Sequence, residues 1–130
     1  TVPGETEFDG AIGKRAWPLV ILLHGYSATG LLQDALFGLS NIVDEKGFLY
    51  AIPDGTVDSH GNHFWNATDA CCDNDHTGVD DVAYLNAIID DMSQQYHVDP
   101  KRIYFTGHSN GGFMSHRMAC DAAGRVAAIV

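Results

Sequence analysis

The sequence predicts an α/β fold, a mostly parallel sheet with helices on both faces, and three observations carry that reading. Apolar runs of strand length alternate with segments of helical periodicity. Residues 19–23 are continuously apolar, the pattern of a strand buried on both faces. A turn of small residues, Gly107-His108-Ser109-Asn110-Gly111, separates another apolar run from another helical segment.

The first strand, residues 19–23, lies between Pro18 and His24-Gly25. Residues 31–46 are helix-compatible and stop at Gly47, a residue suited to a left-handed cap. Residues 48–52 read as a second strand, closed by the turn signal Pro53-Asp54-Gly55. The polar stretch 56–77 is long for a connection inside a compact domain, which marks it as a functional loop. Asp80 or Asp81 caps a helix over about residues 82–96, with Val82, Leu85, Ile88, Ile89 and Met92 at helical spacing. Asp99-Pro100 ends that helix. Residues 102–106 form a third strand, 110–121 a third helix, and 126–130 begin a fourth strand.

The 130 residues make one domain at most, and 45% apolar content with 10% aromatics is enough for a core. Acidic residues number 17 against 7 Lys and Arg, for a net charge of −10. That charge argues against nucleic acid and anionic membranes as partners and favours neutral substrates. No apolar run approaches the ~18 residues needed to cross a bilayer. No leader segment is visible, which decides nothing about compartment.

Gly107-His108-Ser109-Asn110-Gly111 fits G-x-S-x-G, and its strand-to-helix setting is what makes the match informative. So sharp a turn needs small flanking residues, hence Gly107 and Gly111, and it projects the Ser109 hydroxyl from the strand's carboxyl end. The helix behind it offers free N–H groups to a developing oxyanion. Ser109 is therefore the candidate catalytic nucleophile. The backbone N–H groups of Asn110 and Tyr26 are the candidate oxyanion donors, since the loop after the first strand supplies the second donor in this type of site. His24 is read as support for that loop through side-chain hydrogen bonds. A serine needs a base and an orienting carboxylate. After Ser109 the chain offers only His116 and Asp121, and seven helical residues place His116 ~10 Å away along the axis. Neither completes a triad.

At these residues the chain resembles the esterase and polyhydroxybutyrate-depolymerase family of the α/β-hydrolase superfamily, which includes feruloyl and acetyl xylan esterases. The stretches that carry the resemblance, besides the serine turn continued to Met114, are residues 22–26, 51–55, 64–67, 69–72, 78–82 and 98–102. In sequence they read LLHGY, AIPDG, FWNA, DACC, GVDDV and VDPKR. The resemblance implies a three-layer α/β-hydrolase sandwich, of which 1–130 is the central β-α-β-α-β-α-β portion bearing the nucleophile. It implies metal-free and cofactor-free hydrolysis of a small or polymer-linked ester by a secreted or periplasmic enzyme. The family's acid and base lie in a C-terminal portion, so the chain is expected to be an excerpt, a truncated protein, or one partner of an assembly or homo-oligomer that completes the fold. A strand at 126–130 with nothing to cover it points the same way, and the segment is not expected to work as an isolated monomer. The alternative is a non-catalytic hydrolase-fold module that serves binding or assembly.

Export also implies that one disulfide persists among Cys71, Cys72 and Cys120. A bridge from Cys120 to Cys72 or Cys71 is preferred, because adjacent cysteines meet disulfide geometry only with strain. Trp65 and Phe64 either line a substrate pocket or lie buried beneath the long loop. Phe113 and Met114 are expected to pack the third helix onto the sheet. The run from Asp73 resembles the opening of a calcium loop, but Tyr84 stands at the twelfth position where Glu is needed. His60, His63 and His76 share the long loop without metal-ligand spacing, so turn chemistry and surface polarity explain both groups better.

Overall fold

The computed structural model describes residues 15–130. In chain order the elements are β1 (Trp17–Leu23), α1 (Gly30–Phe37), α2 (Val43–Lys46), β2 (Leu49–Ala51), β3 (Thr56–Val57), β4 (His63–Phe64), α3 (Asp81–Gln95), β5 (Val98–Gly107), α4 (Asn110–Asp121) and β6 (Ala128–Ile129). The main sheet has the order β2-β1-β5-β6, and every pairing in it is parallel.

That order places the site. From β1 the chain steps outward to β2, then returns across β1 to β5 on its other side. The connections from β1 and from β5 thus leave in opposite directions, and a crevice opens between the two carboxyl ends. In open parallel sheets ligands bind at this switch point. Leu23 pairs with Gly107, so the strands end level, with His24-Gly25 and His108-Ser109 immediately beyond.

Both faces of β1 are covered, as its unbroken apolar run requires. Leu19, Ile21 and Leu23 point into a core with Leu85 and Ile89 of α3, Met114 and Met118 of α4, and Phe105 of β5. Leu22 faces the opposite layer, built from Val43, Phe48 and Tyr50. The result is three layers. α3 is capped by Asp80, whose carboxylate accepts from the Ala83 N–H at 2.9 Å.

Several elements differ from their sequence reading. The helix expected over 31–46 is interrupted at Gly38, whose φ of 69° ends α1 and turns the chain through a 3-10 segment, Leu39–Ile42, into α2. The polar stretch holds a two-stranded hairpin, β3 with β4, too short to show alternation. β5 begins earlier than expected and includes Pro100, tolerated where the register shifts between Trp17 and Leu19 of its partner. Met114 is fully buried as expected, but Phe113 is 52% exposed and does not pack onto the sheet.

Candidate active site

The turn between β5 and α4 is held open by two glycines. A Cβ on Gly107 would lie 2.8 Å from the Leu23 carbonyl oxygen, and one on Gly111 would lie 2.6 Å from that of His24. Real Cβ contacts are not that close, so α4 approaches β1 only because both positions lack a side chain. Between them Ser109 takes φ 53° and ψ −117°. A residue with a Cβ in that region is strained, and strain of this kind gathers at functional sites. Ser109 is exposed, caps no helix N–H, and stands against Gly25, whose Cβ position is 3.7 Å from Ser109 Cβ.

The loop facing Ser109 is fastened on every side. Gly25 N–H donates to Gln33 Oε1 at 3.1 Å, and the Gly25 carbonyl accepts from the Ala28 N–H at 3.1 Å. His24 is fully buried, with Nδ1 2.8 Å from the Gly25 carbonyl and Nε2 accepting from the Gly55 N–H at 2.9 Å. Its carbonyl accepts from the Trp65 indole N–H at 3.0 Å. The Tyr26 hydroxyl donates to Asp58 and accepts from Asn62 Nδ2. That bond to Asp58 holds the phenol above its ordinary pKa and the Asp58 carboxyl below its own. What remains is the Tyr26 backbone N–H. Among the described residues neither it nor the Asn110 N–H meets an acceptor.

Asn110 contributes more than a backbone donor. Its side chain accepts from Trp65 N–H at 2.7 Å and donates to the Trp65 carbonyl at 2.9 Å, a two-point clasp between residues 45 apart in sequence. Trp65 itself is fully buried, its ring against His24 and stacked on Tyr84. Of the two readings of Trp65, burial beneath the loop is what the described residues show, with its indole N–H taken up by the His24 carbonyl. Asn66 is fixed beside it, its N–H on Asp81 at 2.7 Å and its carbonyl on Arg117 at 2.8 Å.

The expected Cys72–Cys120 bridge is corrected. Cys71 and Cys72 are bonded to each other, and Cys120 is exposed and free. Cys71 Sγ lies 3.7 Å from Asn110 Nδ2, at the start of α4. Cys120 is ten helical residues farther on, about 15 Å along the axis, beyond the reach of a disulfide.

The histidines divide by role. His24 uses both ring nitrogens on backbone groups and is held neutral, because burial pushes its pKa below the ordinary 6.5. The unfolded chain therefore takes up the proton more readily, and stability falls as pH drops from 6.5 through the lowered folded value. In a His24→Asn variant the slope of Tm against pH below 6.5 is expected to be shallower than in the wild type; parallel slopes would deny His24 this part. His63 Nδ1 lies 2.7 Å from the Gly55 carbonyl. His116 lines a separate groove of about 480 Å³ with Phe113, Arg117 and Cys120. Asp73 caps Thr77 and Gly78, and Asp75 caps Ser59, the turn chemistry expected of that run. Among the described residues no group of three or more His, Cys, Asp or Glu has metal-binding geometry. No helix among them is long and apolar enough to cross a membrane.

Sequence reasoning missed Gln33, Asp58 and the Asn110 side chain as fasteners of this site. Each acts on a residue distant in sequence, and no local pattern announces it.

Comparison with known proteins adds the wider context. Residues 37–130 match the family model described as prolyl oligopeptidase family. The chain is 31% identical to feruloyl esterase B of Piromyces equi over 92% of its length, which is 21% of that enzyme. It is 32% identical to a poly(3-hydroxybutyrate) depolymerase of Ralstonia pickettii over 85% of its length, 23% of that enzyme. It thus spans about a fifth of the length of the curated relatives it matches. A fluorophosphonate-binding serine hydrolase of Staphylococcus aureus superposes with a TM-score of 0.72 at 18% identity, over 98% of this chain and 47% of that one. The fold is that of the α/β-hydrolases, and the resemblance to esterases and polyhydroxybutyrate depolymerases read from the residues is present in the curated relatives.

Proposed function

Because the chain belongs to the prolyl oligopeptidase family, we propose that it carries the nucleophile of a serine hydrolase that cleaves carboxylic esters through an acyl-enzyme at Ser109. The observation that carries this reading is the exposed Ser109 on a strained turn at the sheet's switch point, in one cleft with Tyr26, where the Tyr26 and Asn110 N–H groups meet no acceptor among the described residues. Attack by Ser109 Oγ on the ester carbonyl places negative charge on the carbonyl oxygen. The two N–H groups receive it, aided by the positive end of α4. Collapse expels the alcohol and leaves the acyl group on Ser109, and water then releases the acid. His24 and Gln33 act as positioning residues, because they hold Gly25 and with it the Tyr26 N–H.

The general base is not His24, whose nitrogens are spent, and among the described residues no imidazole hydrogen-bonds Ser109 Oγ. We assign the base and its carboxylate to the part of the relatives' length that this chain does not span. The substrate classes proposed are feruloyl, acetyl or short-chain hydroxyalkanoate esters, on the strength of the relatives' names. The same likeness supports an exported protein, and a disulfide suits an oxidising compartment.

The family's description is that of a peptidase, so the choice of ester over amide needs its own test. The native protein is expected to hydrolyse p-nitrophenyl butanoate and to leave peptide p-nitroanilides essentially untouched. Comparable kcat/KM on the two would contradict the ester reading while leaving the serine chemistry in place.

A further inference from the structure

The bond between Cys71 and Cys72 does little as a staple. It joins residues adjacent in sequence, and a disulfide stabilises a fold through the loop it closes in the unfolded chain. Closing so short a loop removes almost no entropy. Its role has to be sought in what it touches.

It touches the residue beside the nucleophile. Cys71 Sγ lies 3.7 Å from Asn110 Nδ2, and that same Nδ2 donates to the Trp65 carbonyl at 2.9 Å. The Cys72 N–H donates to the Trp65 carbonyl as well, at 3.3 Å. The cysteine pair and the Asn110 side chain thus converge on one acceptor. Thr68 and Cys71 exchange backbone hydrogen bonds of 2.8 and 3.1 Å, which close a compact turn behind the sulfur. Asn110 follows Ser109 and offers its own N–H to the oxyanion. A change at the sulfur pair therefore reaches the catalytic turn through a single side chain.

We propose that Cys71–Cys72 is a thiol–disulfide exchange site that governs turnover at Ser109, fast when the pair is oxidised and slow when it is reduced. The inference rests on the reading of Ser109 and Asn110 given above, and it adds a reactant to it, a dithiol. Cys72 is buried, whereas Cys71 is half-buried and follows three exposed residues, so Cys71 is the one a dithiol meets first. A thiolate of the dithiol attacks Cys71 Sγ, the S–S bond breaks, and Cys72 leaves as a thiolate and takes up a proton. The second thiol of the reductant then closes on the mixed disulfide and releases Cys71. Two electrons and two protons pass to the cysteines, and the dithiol departs as a disulfide. Once apart, the two side chains rotate independently, and Cys71 Sγ no longer bears on Asn110 Nδ2. The clasp on Trp65 loosens, and the Asn110 N–H loses its aim at the oxyanion. Turnover thereby follows the redox state of the compartment.

The test uses the native, full-length protein, equilibrated with mixtures of reduced and oxidised dithiothreitol. Reduction is expected to lower kcat for p-nitrophenyl butanoate roughly tenfold, with KM changed by less than about twofold, and reoxidation to restore it. Tm is expected to change little, which separates this role from that of a staple. Alkylation with iodoacetamide followed by peptide mapping reports the state of each cysteine. The Cys71→Ser/Cys72→Ser double variant is expected to have the low kcat and to ignore dithiothreitol, whereas Cys120→Ala responds as the wild type does. The wild-type titration stands alone if the double variant does not fold. An unchanged kcat with Cys71 and Cys72 both alkylated would overturn the proposal, as would a loss that persists in the double variant. Either result leaves Ser109 as nucleophile. Turnover that survives Ser109→Ala would remove the nucleophile reading and this inference with it.

Discussion

Replacing Ser109 with Ala is expected to lower kcat/KM for p-nitrophenyl butanoate by about 10⁴- to 10⁶-fold, the range found when a catalytic serine is removed. Binding and the two oxyanion N–H groups account for what remains. The fold is expected to be undisturbed, since Ser109 is exposed and its hydroxyl caps nothing. Ser109→Gly separates strain from chemistry. At φ 53° a residue with a Cβ is strained by about 1–3 kcal/mol, and glycine is not. Glycine loses about 0.5–1 kcal/mol through the entropy of the unfolded chain. The Gly variant is therefore expected to be as inactive as the Ala variant and about 1 kcal/mol more stable to urea. An equally stable or weaker Gly variant would mean that the turn is not strained.

The second large effect is on stability. Gly111 lies in the first turn of α4, where Ala would be preferred by about 1 kcal/mol on helix propensity alone. Its Cβ would lie 2.5 Å from the Leu23 carbonyl carbon and 2.6 Å from the His24 carbonyl oxygen. These are backbone atoms at the end of a strand buried on both faces, and they cannot move aside as a side chain can. The helix must lift from β1, which opens the core at Met114 and Met118 and displaces the oxyanion loop. Gly111→Ala is expected to lose about 3–4 kcal/mol net, more than ordinary overpacking, together with most activity. Gly112→Ala is the control. Its Cβ meets nothing nearer than the Gly107 carbonyl oxygen at 3.4 Å, so helix propensity decides and stability is expected to hold or rise slightly. Equal losses in the two would refute the close-approach argument.

The parts legible in the sequence are those whose cause is local. The run at 19–23 is apolar throughout because both faces of β1 are covered, and that leaves its mark in five consecutive residues. The glycines around Ser109 are visible because the approach of α4 to β1 demands them at fixed spacing. The face that α1 buries is set at long range instead: Leu31, Leu32 and Leu36 are exposed, and the partners of Gln33 and Asp34 decide which side of the helix is buried. Those partners lie as far away as Gly25 and Tyr50. The clasp between Asn110 and Trp65 and the tie from Tyr26 to Asp58 are likewise long-range. The cysteines were misjudged because pairing follows the position of the loop over α4, which spacing along the chain does not encode.

The central claim is that Ser109 is an activated nucleophile, and covalent trapping tests it most directly. The native, full-length protein would be treated with an alkyl fluorophosphonate, digested, and its peptides mapped by mass. One phosphonyl adduct is expected, on Ser109, absent from Ser109→Ala and from protein unfolded before treatment. A folded protein that takes no label, or carries it on another residue, would contradict the account.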